Sequence, residues 1–278
     1  MSILYPVATP IGNLGDISPR AVETLKSVDF IAAEDTRVTR KLTTHFGIKT
    51  PIISCHDHTS DAKRREIVER LTAGENGALV TDAGMPCVSD PGYELIRDAA
   101  AAGVEIIPVP GASAVIAAIA ASGLPSDTFA FDGFLPRKSG ELRAYLTSLK
   151  TERRTVCVYE APNRLIKTLK AVEEVLPNRR IAVCRELTKL HEETIRGTAA
   201  ECAAAFDGRE IKGEIAIVIA PGKEETPEPA DPTELLKDLI RNGMCEKEAV
   251  KTAAKELGLP KREVYSAALK LKQTKGEK

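Results

Sequence analysis

Tryptophan is absent from this sequence of 278 residues, and aromatic residues make up only 4% of it. That scarcity argues against a wide aromatic platform of the kind that stacks the bases of single-stranded nucleic acid. Cysteine occurs six times, at 55, 87, 157, 184, 202 and 245, and even the nearest pair, Cys184 and Cys202, is far from CxxC spacing. No zinc or iron–sulfur framework follows; most of the thiols sit in or beside apolar runs and read as buried free cysteines in a reducing cytoplasm. No apolar run approaches the ~20 residues of a membrane helix. The richest, Ala112 to Ala121, is Ala-dominated and suits a buried helix. The opening MSILYPVATP lacks the basic region and apolar core of a signal peptide. A net charge of −1 provides no global field toward a polyanion. With 43% hydrophobic and 28% charged residues, the composition is that of an ordinary soluble globular protein.

Short apolar β-type runs alternate with amphipathic helical ones. Strands are expected at Ile3–Ala8, Phe30–Ala33, Pro51–Ser54, Ala78–Thr81 and Val104–Val109. Helices are expected at Arg20–Lys26, Thr36–Phe46, Asp61–Thr72, Asp90–Ala102 and Ala112–Ser122. Ser18-Pro19 supplies an N-cap with Pro at the first helical position, and Gly47 and Gly74 close helices. This alternation predicts an α/β domain over residues 1–122 with a mostly parallel sheet covered on both faces. A second α/β domain with a more mixed sheet is expected over 123–222. Its strands are Phe129–Leu135, Thr155–Tyr159, Ile181–Arg185 and Ile215–Ala220, its helices Leu142–Leu149 and Arg164–Leu176, and Thr194–Arg196 a short edge strand. The stretch PGKEETPEPADP, rich in Pro and acid, reads as a linker, 223–232 at its centre. Three short helices follow over 233–278, at Thr233–Arg241, Lys247–Leu257 and Lys261–Lys272. From Asp231 on, 11 Lys and Arg face 8 Asp and Glu, so the tail is basic while the rest of the chain is acidic.

Three turn-rich loops leave strands of the first sheet. The first, Ala8-Thr9-Pro10-Ile11-Gly12-Asn13-Leu14-Gly15-Asp16, stands where a dinucleotide fingerprint would, but it is not GxGxxG. The second, TDAGMPCVSDPG from Thr81 to Gly92, is far longer than the about 2–6 residues a βα turn needs. The third is Pro110-Gly111-Ala112-Ser113-Ala114. Ligands of open parallel sheets bind outside the carboxyl ends of the strands, so three small-residue loops at one edge predict a shared cleft. Backbone N–H groups near Ser89 and the following helix suit a carboxylate, and Asp90 is expected to cap that helix. In the second half, YEAPNR (159–164) and RELTK (185–189) sit at strand ends, as ion-paired scaffolding or as the opposite wall of the cleft.

VATPIGNLGD, AEDTR at 33–37, SDPG at 89–92, PGASA at 110–114, YEAPNR and RELTK occur in this order over about residues 3 to 222. As a set they resemble the tetrapyrrole-methylase-like (class III) S-adenosylmethionine-dependent methyltransferases, and within them the branch acting on small-subunit rRNA. The basic tail is similar to the helix-turn-helix extension of that branch. The resemblance implies a tetrapyrrole methylase-like fold: two α/β domains, S-adenosyl-L-methionine in the cleft between them, a small C-terminal all-α region and a homodimer. It implies 2′-O-ribose methylation of a cytidine in the decoding region of 16S rRNA of the small ribosomal subunit, in the cytoplasm. It places the cofactor wall at Pro10, Asp82, Met85, Val88, Ser89, Ser113 and Ala114, and in the second domain at Glu160, Leu187, Glu214 and Ile215.

A ribose hydroxyl is a poor nucleophile until its proton leaves, so a base is needed near the methyl donor. Glu34-Asp35-Thr36-Arg37 ends the second strand: Asp35 or Glu34 is the expected base, and Arg37 holds phosphate or orients the carboxylate. The other reading of this cluster is an ion pair pinning a loop. Cys55-His56-Asp57-His58 has alternating His but no further ligands, and no metal is expected. The tail has helix-turn-helix spacing, with Lys261, Arg262, Lys270 and Lys272 on its last helix and Ala253, Leu257, Val264, Ala268 and Leu269 as core. Rival readings are a small-molecule methyltransferase of the tetrapyrrole type and a non-enzymatic nucleic-acid-binding protein. A nicotinamide dehydrogenase is disfavoured by the missing GxGxxG.

Overall fold

A computed structural model describes residues 2–56, 59–222 and 232–275. Residues up to Gly222 carry two sheets, and the residues after it form a separate unit. The first sheet holds β1 (Ile3–Pro6), β2 (Phe30–Ala33), β3 (Ile52–Ser54), β4 (Gly77–Val80) and β5 (Glu105–Ile106). Their order is β3-β2-β4-β1-β5, and every pairing is parallel. β2 and β4 are buried at every position, as parallel strands covered on both faces must be. Two apolar layers flank them, one around Leu4, Phe30 and Leu79, the other around Val7, Ile31 and Val80.

The helices connecting these strands are α1 (Pro19–Ser27), α2 (Thr36–His45), α3 (Asp61–Thr72) and α4 (Tyr93–Ala101). Ser18 and Ser60 cap α1 and α3 with their hydroxyls. α4 begins later than expected. Asp90 does not cap it: the cap position is Gly92, with φ +118 and no side-chain bond. A Cβ there would lie 2.7 Å from Leu79 Cδ2, so glycine is required both by the backbone and by the space. β5 is also shorter than expected, although Val109 still bridges to Val7.

The second sheet holds β6 (Phe129–Phe134), β7 (Thr155–Glu160), β8 (Ile181–Arg185), β9 (Glu193–Gly197) and β10 (Ile215–Ile219), in the order β6-β7-β10-β8-β9. β6 and β7 are parallel and the other pairings antiparallel, so the sheet is mixed as expected, with β9 at an edge. α6 (Ser139–Ser148), α7 (Leu165–Val175) and α8 (Ala199–Ala205) accompany it. The sequence reading missed α8, an Ala-rich segment opened by a capping box of Thr198 and Glu201. The other face is covered by α5 (Ala114–Ser122), whose Val115, Ala118 and Ile119 join Cys157, Ala182, Ala216 and Val218 in one core. A boundary at 122/123 therefore cuts between α5 and β6, whereas α5 packs on the second sheet.

In the separate C-terminal unit, α9 (Pro232–Arg241), α10 (Glu246–Glu256) and α11 (Lys261–Lys275) enclose Leu236, Ala249, Val250, Ala253, Val264 and Ala268. Leu269, expected in this core, is 44% exposed, while its neighbour Ala268 is buried. Lys261 and Arg262 are exposed. Most of the expected linker lies outside the described residues, as do Asp57 and His58 of the Cys55–His58 segment.

Candidate active site

Sheet order brings the site together. β2, β4, β1 and β5 are neighbours, so the loops after them emerge along one edge. The first and second loops are tied by a backbone bridge: Thr9 N donates to Gly84 O at 2.9 Å and Gly84 N to Thr9 O at 3.0 Å. The second loop bends through positive φ at Gly84 (+82), Cys87 (+70), Ser89 (+62) and Gly92 (+118). Two of these are not glycine, a backbone cost that an ordinary connection would not carry. On the other sheet, β7 and β8 both run antiparallel to β10, with Glu160 and Arg185 opposite Ile215. The ends of β7 and β8 and the start of β10 therefore meet.

Between these edges lies a cavity of about 230 Å³. The first sheet lines it with Ile11, Ala83, Gly84, Met85, Val88, Ser89 and Asp90, and the third loop adds Ser113, Ala114 and Val115. The facing wall is Phe134, Tyr159, Cys184, Leu187, Glu214, Ile215 and Ala216. The expected residues Met85, Val88, Ser89, Ser113, Ala114, Leu187, Glu214 and Ile215 thus lie together. Ser113 also caps α5, accepting from Ile116 N at 3.4 Å. Glu214 pairs with Lys189 at 3.0 Å, and Lys189 also holds Glu186 at 2.8 Å. The RELTK loop presses on the first one: a Cβ on Gly12 would lie 2.5 Å from Lys189 Cγ.

Glu160 does not line this cavity. It is 2% exposed, accepts from Thr168 Oγ1 at 2.5 Å and Ala161 N at 2.8 Å, and pairs with Arg164 at 3.3 Å. Side chains of successive strand residues point to opposite faces, and of Glu160 and Tyr159 only one lines the cleft. It is Tyr159 that does, with Phe134 edge-on at 5.5 Å, and burial pushes its phenol up to about 12. That alternation was the signal from which Tyr159, and likewise Cys184 beside Arg185, could have been found. Arg164 and Arg185 serve the scaffold: Arg164 donates to Pro136 O and Arg185 to Lys212 O. Phe134, from a strand with an irregular register, gave no such signal.

Pro10 and Asp82 line a second cavity of about 180 Å³, with Thr9, Leu14, Val38, Thr39, Lys41, Leu42 and Thr81. The chain passes from one cavity to the other between Asp82 and Ala83. Here the carboxylates expected to act as base converge. Asp35 N donates to Asp82 Oδ1 and Asp82 N to Glu34 Oε2, both at 3.2 Å, clasping the ends of β2 and β4. Asp35 caps α2, accepting from Arg37 N at 2.8 Å, and pairs with the Arg37 guanidinium at 2.6 Å. The Arg37 side-chain and backbone bonds lower the Asp35 carboxyl to about 2. Asp82 is raised instead, first by partial desolvation and further by the Asp35 charge, against the opposing Asp35 N–H. Asp35 is thus a weak proton acceptor and Asp82 a stronger one.

Residues 4–203 match the family described as Tetrapyrrole (Corrin/Porphyrin) Methylases, and residues 226–272 match the RsmI C-terminal HTH domain. The chain is 48% identical over 276 residues to the Ribosomal RNA small subunit methyltransferase I of Synechocystis sp., covering 98% of this chain and 99% of the relative. It is 46% identical over 274 residues to the protein of the same name in Bacillus subtilis, covering 96% and 94%. A crystal structure of uroporphyrin-III C-methyl transferase from Thermus thermophilus, complexed with S-adenyl homocysteine, shares the fold. Its TM-score is 0.52 at 16% identity, over 80% of this chain and 98% of that one.

Proposed function

The chain belongs to the tetrapyrrole (corrin/porphyrin) methylase family, and on that premise we propose that it is an S-adenosylmethionine-dependent methyltransferase of small-subunit rRNA. The finer reading is transfer to the ribose 2′-hydroxyl of a cytidine in the 16S decoding region, by a cytoplasmic homodimer. The observation that carries the rRNA methyltransferase reading is the larger cavity, closed between the three small-residue loops and the Tyr159–Leu187 wall, in a chain so similar over its length to proteins named Ribosomal RNA small subunit methyltransferase I. Among the described residues no helix is long and apolar enough to cross a membrane.

The residues present suit the cofactor. Ile11, Val88, Leu187 and Tyr159 offer apolar walls for an adenosyl group, and Ser89, Ser113, Asp90 and Glu214 offer polar partners for an amino-acid end. Gly84, bridged to Thr9, lets backbone approach where a side chain would stand. When bound, S-adenosylmethionine supplies a methyl group on a cationic sulfur, and the protein's part is to position and deprotonate the acceptor. We assign the proton to Asp82: Oδ1 is engaged by Asp35 N–H, leaving Oδ2 to take it. The Asp35 N–H then positions Asp82, the Arg37 charge offsets its negative charge, and Glu34 holds its backbone.

Mass spectrometry of 16S rRNA fragments tests this reading. Cells lacking the protein should lose one ribose methyl, restored by the wild-type chain and by purified protein with S-adenosylmethionine and small subunits. Unmethylated rRNA in both arms would overturn the substrate, and calorimetric binding of NAD in place of S-adenosylmethionine would overturn the class. Sedimentation of the full chain tests the dimer.

A further inference from the structure

The smaller cavity and the exposed face of α2 are not used by a methyl-donor site. Two large apolar side chains border that cavity from different elements, Leu14 on the first loop and Val38 on α2, exposed to 43% and 37%. Thr81, 2% exposed, also lines it, and its Oγ1 has no hydrogen-bond partner among the described residues. A buried hydroxyl without a partner is rare in a folded protein and asks for a ligand or a water. Lys41 belongs both to this cavity and to an open groove on α2 formed with Arg37, Arg40, Thr44 and His45. α2 contains no acidic residue. Arg37 is neutralised by Asp35, but Arg40 and Lys41 make no ion pair among the described residues, and both are exposed. The two cavities adjoin: Thr81 and Asp82 line the smaller, the next residues Ala83 to Met85 the larger, and the Thr9–Gly84 bridge lies between them.

We propose that the smaller cavity seats the acceptor nucleoside of a single RNA strand, with its base between Leu14 and Val38 and its flanking phosphates on Arg40 and Lys41. This rests on the rRNA methyltransferase reading above. Apolar jaws take a flat base on its faces, where the shortage of aromatic residues leaves aliphatic ones to serve. The Thr81 hydroxyl donates to or accepts from the polar edge of the nucleoside. Paired cations along a helix fix the strand by its backbone without reading sequence. The arrangement brings the ribose to Asp82, at the border with the methyl-donor cavity.

The test uses the full chain, purified small subunits and S-adenosylmethionine, with steady-state kinetics, calorimetry for the cofactor and thermal melts as a folding control. Arg40→Glu/Lys41→Glu should raise KM for subunits by about tenfold or more, and flatten its salt dependence by about one unit of slope per lost phosphate contact. Cofactor affinity should stay within about twofold. Thr81→Val keeps the shape and removes one hydrogen bond, so kcat/KM should fall by roughly three- to tenfold with cofactor affinity unchanged. Leu14→Ala/Val38→Ala, two surface truncations, should also raise KM and serves where Thr81→Val melts early. Wild-type kinetics in all three variants would overturn the acceptor site while leaving the methyltransferase reading intact. If instead the wild-type protein methylates a small tetrapyrrole-like molecule and not the subunit, the underlying reading fails, and this one with it.

Discussion

Thr9 and Gly84 exchange both backbone hydrogen bonds, an antiparallel pair at the edge of an all-parallel sheet. The pair holds the first and second loops as one element, with Gly84 facing the larger cavity and Thr9 the smaller. Gly84 sits at φ +82, and a Cβ there would meet Ile11 Cγ2 at an ordinary 3.6 Å. A side chain at 84 is therefore opposed by the backbone, not by crowding. Gly84→Ala should cost roughly 1–3 kcal/mol, and calorimetry should show weakened S-adenosylmethionine binding as the loops separate. Unaltered affinity and stability would mean that the bridge does not shape the cleft.

Methyl transfer should show an acid limb set by Asp82. Its carboxyl is raised by desolvation and by Asp35 and lowered by the Arg37 charge. The rate should rise with pH through an apparent pKa above that of an ordinary aspartate, as the base becomes ionised. Asp35→Asn removes a neighbouring negative charge and should move the limb to lower pH. Arg37→Ala should move it to higher pH. A pH–rate profile on the three proteins checks both signs, and a limb that ignores the two substitutions rules Asp82 out as base.

Asp82 should also cost stability. A carboxyl raised in the folded state binds its proton more readily there than in the unfolded chain. Its contribution is fully present below the unfolded pKa and is lost as pH rises through the folded pKa. Asp82→Asn should therefore melt at the same temperature or higher at neutral pH while losing most activity, with no gain in acid. A large destabilisation at neutral pH would contradict this balance.

Glu160 should matter to folding more than to the cofactor. It is buried against α7, with Thr168 and Arg164 as partners. Glu160→Ala strands the Thr168 hydroxyl and should cost about 1–3 kcal/mol in denaturant titrations. Cofactor affinity of the folded variant should be unchanged; a selective loss of binding would return Glu160 to the cleft.

Truncation after Gly222 removes the separate helical unit with its own core of Leu236, Ala253 and Val264. The shortened protein should bind S-adenosylmethionine normally and bind small subunits more weakly. Equal subunit affinity with and without the tail, in a filter-binding assay, would remove it from the nucleic-acid surface.

Much of this was legible in the chain because the signals are local. Ser18, Ser60 and Ser113 cap helices by hydroxyls one turn from the amides they meet. The apolar runs Phe30–Ala33 and Gly77–Val80 are buried at every position, as strands of a sheet covered on both faces must be. The turn-rich loops after β1 and β4 announced a cleft, because the carboxyl ends of parallel strands lie together. Strand order, by contrast, is a long-range choice, and it decided which loops became neighbours. Asp35 and Arg37 are two residues apart, and their local pairing lowers the Asp35 carboxyl; only the fold put Asp82 beside them and partly desolvated it, raising its carboxyl. Alternation sets Tyr159 and Glu160 on opposite faces, but only the fold decided which face meets the cleft, and it left the Thr81 Oγ1 in a second cavity with no hydrogen-bond partner among the described residues. Residue types and their spacing determined the elements and the chemistry at hand; the tertiary structure decided which of those groups share a low-polarity space.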